Sequence, residues 1–142
     1  MNRQLRFLSP VTLRPHEETV ASRLGEVIEL LLREQAWTRP ICIEEESLCV
    51  MDGHHRRLAA IHLGLTKVPV VAFRYFEVRL GTWKPGLQHE PGEVIDRARL
   101  GHLLPPKTTR HLFPPFEAQA VPLLRLIGGA SSPPKSDAAQ SG

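Results

Sequence analysis

The chain has 142 residues, 42% hydrophobic and 23% charged, with 18 basic against 15 acidic side chains for a net charge of +3. That length suits one domain and is too short for two ordinary ones. So mild a charge, without any block of lysines or arginines, points away from nucleic acid, and no apolar run reaches membrane-spanning length.

Residues 1–6 carry an early charge with no apolar stretch behind it, so the expectation is a cytoplasmic protein without a secretory signal. Residues 5–13 alternate weakly and hold Pro10, which predicts a short first strand ending near Leu13. From 17 to 35 the apolar residues Val20, Leu24, Val27, Ile28, Leu31 and Leu32 fall at helical spacing, with Glu17 and Glu18 in the first turn, where the helix dipole favours acids. Pro40 stops that unit and Trp37 closes its packing. Residues 41–43 and 48–51 are two short strands around the acidic hairpin 44–47. Cys42 and Cys49 either face each other across it or stay two buried thiols, the better expectation for a reducing compartment.

Asp52-Gly53 then turns into a helix over 55–63, with Leu58, Ala59, Ile61 and His62 inward and Gly64 at its C-terminal end. Residues 68–73 form a buried strand and 76–80 a fourth, before residues 81–86 break the pattern. A short helix over 93–100 ends at Gly101. Residues 104–116, with four prolines, are expected as an extended loop, and 128–142, rich in Gly, Ser, Pro and Ala, as a disordered tail. His62 is expected half-buried and His102 in a loop. The order of elements predicts a compact α+β domain over 1–127 with a small mixed sheet and packed helices, its core at 5–86 and a C-terminal segment at 92–116.

The chemistry concentrates at residues 52–56. Free N–H groups at a helix start favour anions, and Gly53 lets a phosphate come close to the backbone. His54, His55 and Arg56 add side-chain donors, Arg56 with a fork suited to phosphate. Asp52 is placed to hold a Mg2+ bridging phosphate oxygens. The competing reading is a plain turn followed by solvent-exposed histidines.

Asp52-Gly53-His54-His55-Arg56, before a helix ending in Leu63-Gly64 and a Val68-Pro69-Val70 strand, resembles the ParB/sulfiredoxin-like superfamily. Within it the resemblance is greatest to the free serine kinases, among them the archaeal ADP-dependent enzyme and its relatives in siderophore biosynthesis. Leu13-Arg14-Pro15-His16-Glu17, Gly81-Thr82-Trp83, and the segment from Pro106 through His111 to Leu112 and Pro114 resemble three further motifs of those kinases, in the same order. Sulfiredoxin has a cysteine where His54 stands. The partition proteins have a Gly-Glu-Arg-Arg turn and a helix-turn-helix domain, and neither is present. Between Trp83 and Lys107 the chain lacks a large insertion of the archaeal kinase.

The resemblance implies transfer of a phosphoryl group from ADP or ATP, with Mg2+, to the hydroxyl of free L-serine or a similar small hydroxy amino acid. It implies Glu17 as catalytic base, against ordinary capping of the helix start. It implies a substrate grip of Lys107, Thr108, Thr109 and His111, against an exposed basic loop, finished by Thr82 and by Trp83 as an apolar wall, against core packing. Arg110 contacts phosphate or faces water. The alternative is a ParB-like nucleotide-binding transcriptional or partition regulator without kinase turnover.

Overall fold

The computed structural model describes residues 3–84 and 86–128. In chain order the elements are β1 (Arg6–Leu8), α1 (Ala21–Glu34), β2 (Ala36–Trp37), β3 (Ile41–Glu44), β4 (Val50–Asp52), α2 (His54–His62), β5 (Val68–Phe73), β6 (Arg79–Thr82), α3 (Pro91–Leu100), β7 (Thr109–Leu112) and β8 (Val121–Pro122). The tail expected over 128–142 lies, apart from Gly128, outside the described residues. Among those described, no helix is long and apolar enough to cross a membrane.

The apolar run at 68–73 has almost no polar side to turn outward, and it becomes an inner strand. Here β5 lies between β1, antiparallel, and β3, parallel, while β4 pairs antiparallel on the far side of β3. The result is the expected mixed sheet, covered by side chains on both faces of its central strands. Helices α1 and α2 pack together over one face. Val27 and Leu31 of α1, Ala59 and Ala60 of α2, and Trp37, Ile41, Ile43, Val68 and Val70 form the main core. Two small ribbons, β2 with β8 and β6 with β7, flank the sheet.

Several boundaries differ from expectation, each for a local reason. Pro10 opens a 3-10 turn (Pro10–Thr12), so the first strand stops at Leu8. Helix α1 begins at Ala21, not at Glu17, because residues 14–18 are drawn out straight by tertiary hydrogen bonds. The Arg14 N–H donates to the Leu48 carbonyl at 2.9 Å, and the Glu18 N–H to the Leu104 carbonyl at 2.8 Å. Glu17 and Glu18 therefore precede the helix, and Val20 and Leu32 of the expected stripe are exposed. Residues Tyr75–Glu77 make a 3-10 turn in place of the start of a strand.

The proline-flanked stretch 104–116, expected to be irregular, supplies β7, whose partner β6 takes in Gly81 and Thr82. Gly64 does follow α2, at φ +72, and Gly101 caps α3. His62 is exposed rather than half-buried. Cys42 sits opposite Asp52 in the β3–β4 register, away from Cys49, and both thiols are free and buried.

Ile43 has no solvent exposure, whereas Leu124 is 80% exposed. Ile43→Ala should lower unfolding free energy by about 2–5 kcal/mol, and Leu124→Ala by less than about 0.5 kcal/mol, read as shifts of the urea midpoint at constant slope.

Candidate active site

The chain reverses from β4 into α2 at Gly53, which holds φ +110. A side-chain carbon there would lie 3.1 Å from Ile41 Cγ1 and 3.2 Å from the Arg56 guanidinium, so only glycine fits this turn. Helix α2 has no side-chain N-cap, and its first backbone bond runs from the Arg57 N–H to the Gly53 carbonyl at 2.9 Å. The N–H groups of His54, His55 and Arg56 thus precede the intrahelical ladder, as an anion site requires.

The side chains at this turn serve it differently from expectation. Arg56 is folded beneath it, donating to the Arg39 carbonyl at 2.6 Å, the Pro40 carbonyl at 2.7 Å and Asp52 Oδ2 at 3.2 Å. Its fork braces the backbone here, while the residue also lines the cavity that the turn faces. His54 Nε2 accepts the His16 N–H at 3.1 Å, and His55 Nε2 accepts the Val20 N–H at 2.9 Å. Each ring is therefore a neutral acceptor at Nε2 that keeps one proton on Nδ1. Burial, reinforced by the neighbouring His16, pushes His54 well below the usual histidine range. Burial and the charges of Arg23 and Lys107 lower His55.

Glu17 faces this turn from the extended segment. Its Oε1 accepts the Lys107 N–H at 3.1 Å, and its Oε2 accepts the Thr109 N–H at 2.7 Å together with the Thr109 hydroxyl. The backbone of Lys107 is left-handed, at φ +56, which is uncommon for a non-glycine residue and aims its N–H at the carboxylate. Burial raises the Glu17 pKa, but the hydrogen bonds from His16 and from the Thr109 hydroxyl and N–H outweigh it and lower the carboxyl to about 2. The cause is this set of donors and not the helix dipole, since Glu17 lies outside the helix.

The two faces meet at a cavity of about 430 Å³, a size suited to a small organic ligand. Glu17, Asp52, Gly53, His54, His55, Arg56, Trp83, Lys107 and Thr109 all line it. Three residues of the expected substrate grip do not. The Thr82 hydroxyl donates to the Thr108 carbonyl, and the Thr108 hydroxyl to the Pro105 carbonyl, so both stabilise the loop from behind. His111 is turned to the Tyr75 hydroxyl, 2.7 Å from Nε2, and burial pushes its pKa down to about 3. Trp83 stands at the rim, 57% exposed, with Arg110 stacked 4.5 Å from its ring.

Sequence reasoning missed the apolar wall of Val27, Leu30, Leu31 and Trp37, the cations Arg23 and Arg39, and Glu18 as a lining residue. Leu30 lies off the core-facing stripe of α1, and that was the available signal. His16, fully buried behind the cavity, lies within the Leu13–Glu17 motif, where residue type alone gives it no role.

Among the described residues no three acidic, histidine or cysteine side chains gather to bind a metal. Asp52 is half-exposed and bridged to Arg39 at 3.7 Å and Arg56 at 3.2 Å. A lone carboxylate of this kind fits a Mg2+ ion only when phosphates and water complete its shell, the usual arrangement for this ion.

No family model matches the chain. It is 40% identical over 74 residues to a ParB-like protein of Sulfolobus acidocaldarius, covering 52% of this chain and 37% of that protein. It is 35% identical over 89 residues to an ATP-dependent L-serine kinase of Desulfurococcus mucosus, covering 58% and 35%. The chain thus spans little more than a third of the length of these relatives. Its fold is that of a solved free serine kinase in complex with AMP, with a TM-score of 0.78 over 89% of this chain and 95% of that one, at 17% identity. The resemblance thus has a counterpart in sequence, in a relative named ParB-like, and the fold is one shared with a solved free serine kinase.

Gly53→Ala should cost about 1–3 kcal/mol of stability for its backbone alone and weaken binding of any phosphate ligand, seen by calorimetric titration. A folded-state pKa below the ordinary 4.5 makes Glu17 stabilising above that pH, and the contribution fades as pH falls from 4.5 towards about 2. Acid unfolding of Glu17→Gln should therefore show a shallower slope across this window than the wild type, by fluorescence-detected denaturation.

Proposed function

We propose that this chain is a phosphotransferase that moves a phosphoryl group from ADP or ATP to the hydroxyl of free L-serine. The observation that carries the reading is a single cavity joining a helix N-terminus suited to phosphate with an ionised carboxylate braced by Lys107 and Thr109. The serine kinase named among its relatives, and the free serine kinase that shares its fold, support the same chemistry.

In this reading the nucleoside lies along the apolar wall of α1 and β2, and its phosphates meet the N–H groups that open α2. Asp52 would hold the Mg2+, which supplies charge neutralisation on the phosphates when bound. Lys107 adds a cation beside the transferred group. Glu17 receives the serine hydroxyl as hydrogen-bond acceptor. The serine oxygen forms its bond to phosphorus as the bridging oxygen departs with the nucleotide and the bond's electron pair. The hydroxyl proton then passes out through the carboxylate to solvent. A carboxyl with a pKa of about 2 is a weak base, so its work here is to aim the hydroxyl, which suffices where the transition state is loose.

The test is O-phosphoserine formation from L-serine, Mg2+ and either ADP or ATP, followed by mass spectrometry. Glu17→Gln should lose about 10²–10⁴-fold in rate while nucleotide affinity stays within a few-fold. A folded protein that yields no phosphoserine with either donor overturns the proposal. Nucleotide binding indifferent to serine, together with salt-sensitive binding to duplex DNA, would establish the regulatory reading instead.

A further inference from the structure

His16 stands behind the cavity with no solvent exposure and with both ring nitrogens engaged. Nδ1 lies 2.8 Å from the Val50 carbonyl oxygen, which can only accept, so Nδ1 carries a proton. Nε2 lies 2.9 Å from the Thr109 hydroxyl. That hydroxyl has one proton, and it is given to Glu17 Oε2. Towards the imidazole the hydroxyl is therefore an acceptor, and Nε2 must carry a proton as well.

We infer that His16 is a buried imidazolium and the positioning residue of the site, fixing Glu17 as an ionised carboxylate through the Thr109 hydroxyl.

The groups facing His16 agree with this. Glu17 Oε2 lies 3.7 Å from Nε2 and is the one anion among them. From α2, the His54 ring meets His16 edge-on at 4.6 Å and accepts its N–H, so it stays neutral. From β7, the His111 ring lies 5.8 Å away, neutral and tied to Tyr75, whose phenol burial pushes up. From the loop before β4, Cys49 Sγ lies 3.7 Å from Nδ1, and burial pushes its thiol up to about 12. A buried cation thus faces a single, partly buried anion at the cavity wall, and each keeps the other charged. An imidazolium that already holds both protons cannot relay a third. A proton left on Glu17 would strand the cation, so the pair keeps Glu17 in its hydroxyl-aiming form.

The first test does not depend on the proposed reaction. Ring-¹⁵N NMR of the full chain at pH 8 should show both His16 nitrogens protonated, and Glu17→Gln should remove one of those protons. A single protonated nitrogen in the wild type, or no change in Glu17→Gln, overturns the inference. The second test rests on the phosphotransferase reading. His16→Gln keeps a donor towards Thr109 without the charge. It should move the acid limb of kcat/KM upward by at least one pH unit while nucleotide KM stays within a few-fold. If that variant does not fold, Thr109→Val breaks the same relay and should move the limb in the same direction. An unmoved acid limb refutes the positioning role. Absence of turnover in the wild type counts against the kinase reading alone and leaves the NMR result to decide.

Discussion

Residues 14–18 run straight because hydrogen bonds claim their backbone at both ends of the stretch. At one end Arg14 exchanges bonds with Leu48 and Val50; at the other, His16 and Glu18 exchange bonds with Leu104. This short stretch joins the β4 side of the main sheet to the C-terminal segment that carries Lys107 and Thr109. Successive side chains on an extended backbone point to opposite sides, so His16 enters the interior while Glu17 turns to the cavity. Were the helix to begin at Glu17, that carboxylate would lie on a solvent-washed first turn. The site exists because tertiary bonding outweighs the local preference for helix.

The polarity of the cavity follows. Its cationic side is built chiefly from backbone N–H groups and from arginines and a lysine, because the two histidines at the mouth of α2 are tied as acceptors. Among the carboxylates that line it, Glu17 is the one with nearly every lone pair engaged by donors of the fold. Arg56, the most obvious phosphate ligand by residue type, is spent on the Arg39 and Pro40 carbonyls of the segment before β3. What it contributes is a fixed backbone, and donors that do not have to reorganise are the effective ones for a charged ligand.

Much of this was legible in advance, for reasons that can be named. The run at 68–73 has no polar face, so it had to be an inner strand, and Gly64 and Gly101 marked the ends of α2 and α3 through their freedom at positive φ. The turn at residues 52–56 was found by residue type and order and Glu17 through the resemblance of its motif, and they do line one cavity. Less visible was which member of each motif faces inward. Thr82, Thr108 and His111 share segments with lining residues but are engaged elsewhere, by the Thr108 carbonyl, the Pro105 carbonyl and the Tyr75 hydroxyl, pairings that composition does not encode. The pairing of β6 with β7 was hidden by the prolines around it, and the wall formed by Leu30 and Trp37 by the distance in sequence between the surfaces that meet there.

The left-handed backbone at Lys107 places two demands on one position. A glycine would relax the backbone and still offer the same N–H to Glu17, yet it would remove the ammonium from the cavity. A β-branched residue would satisfy neither. Backbone ease and side-chain charge therefore make opposite demands at this position. Asparagine, tolerant of the conformation but uncharged, would meet the first and forgo the second.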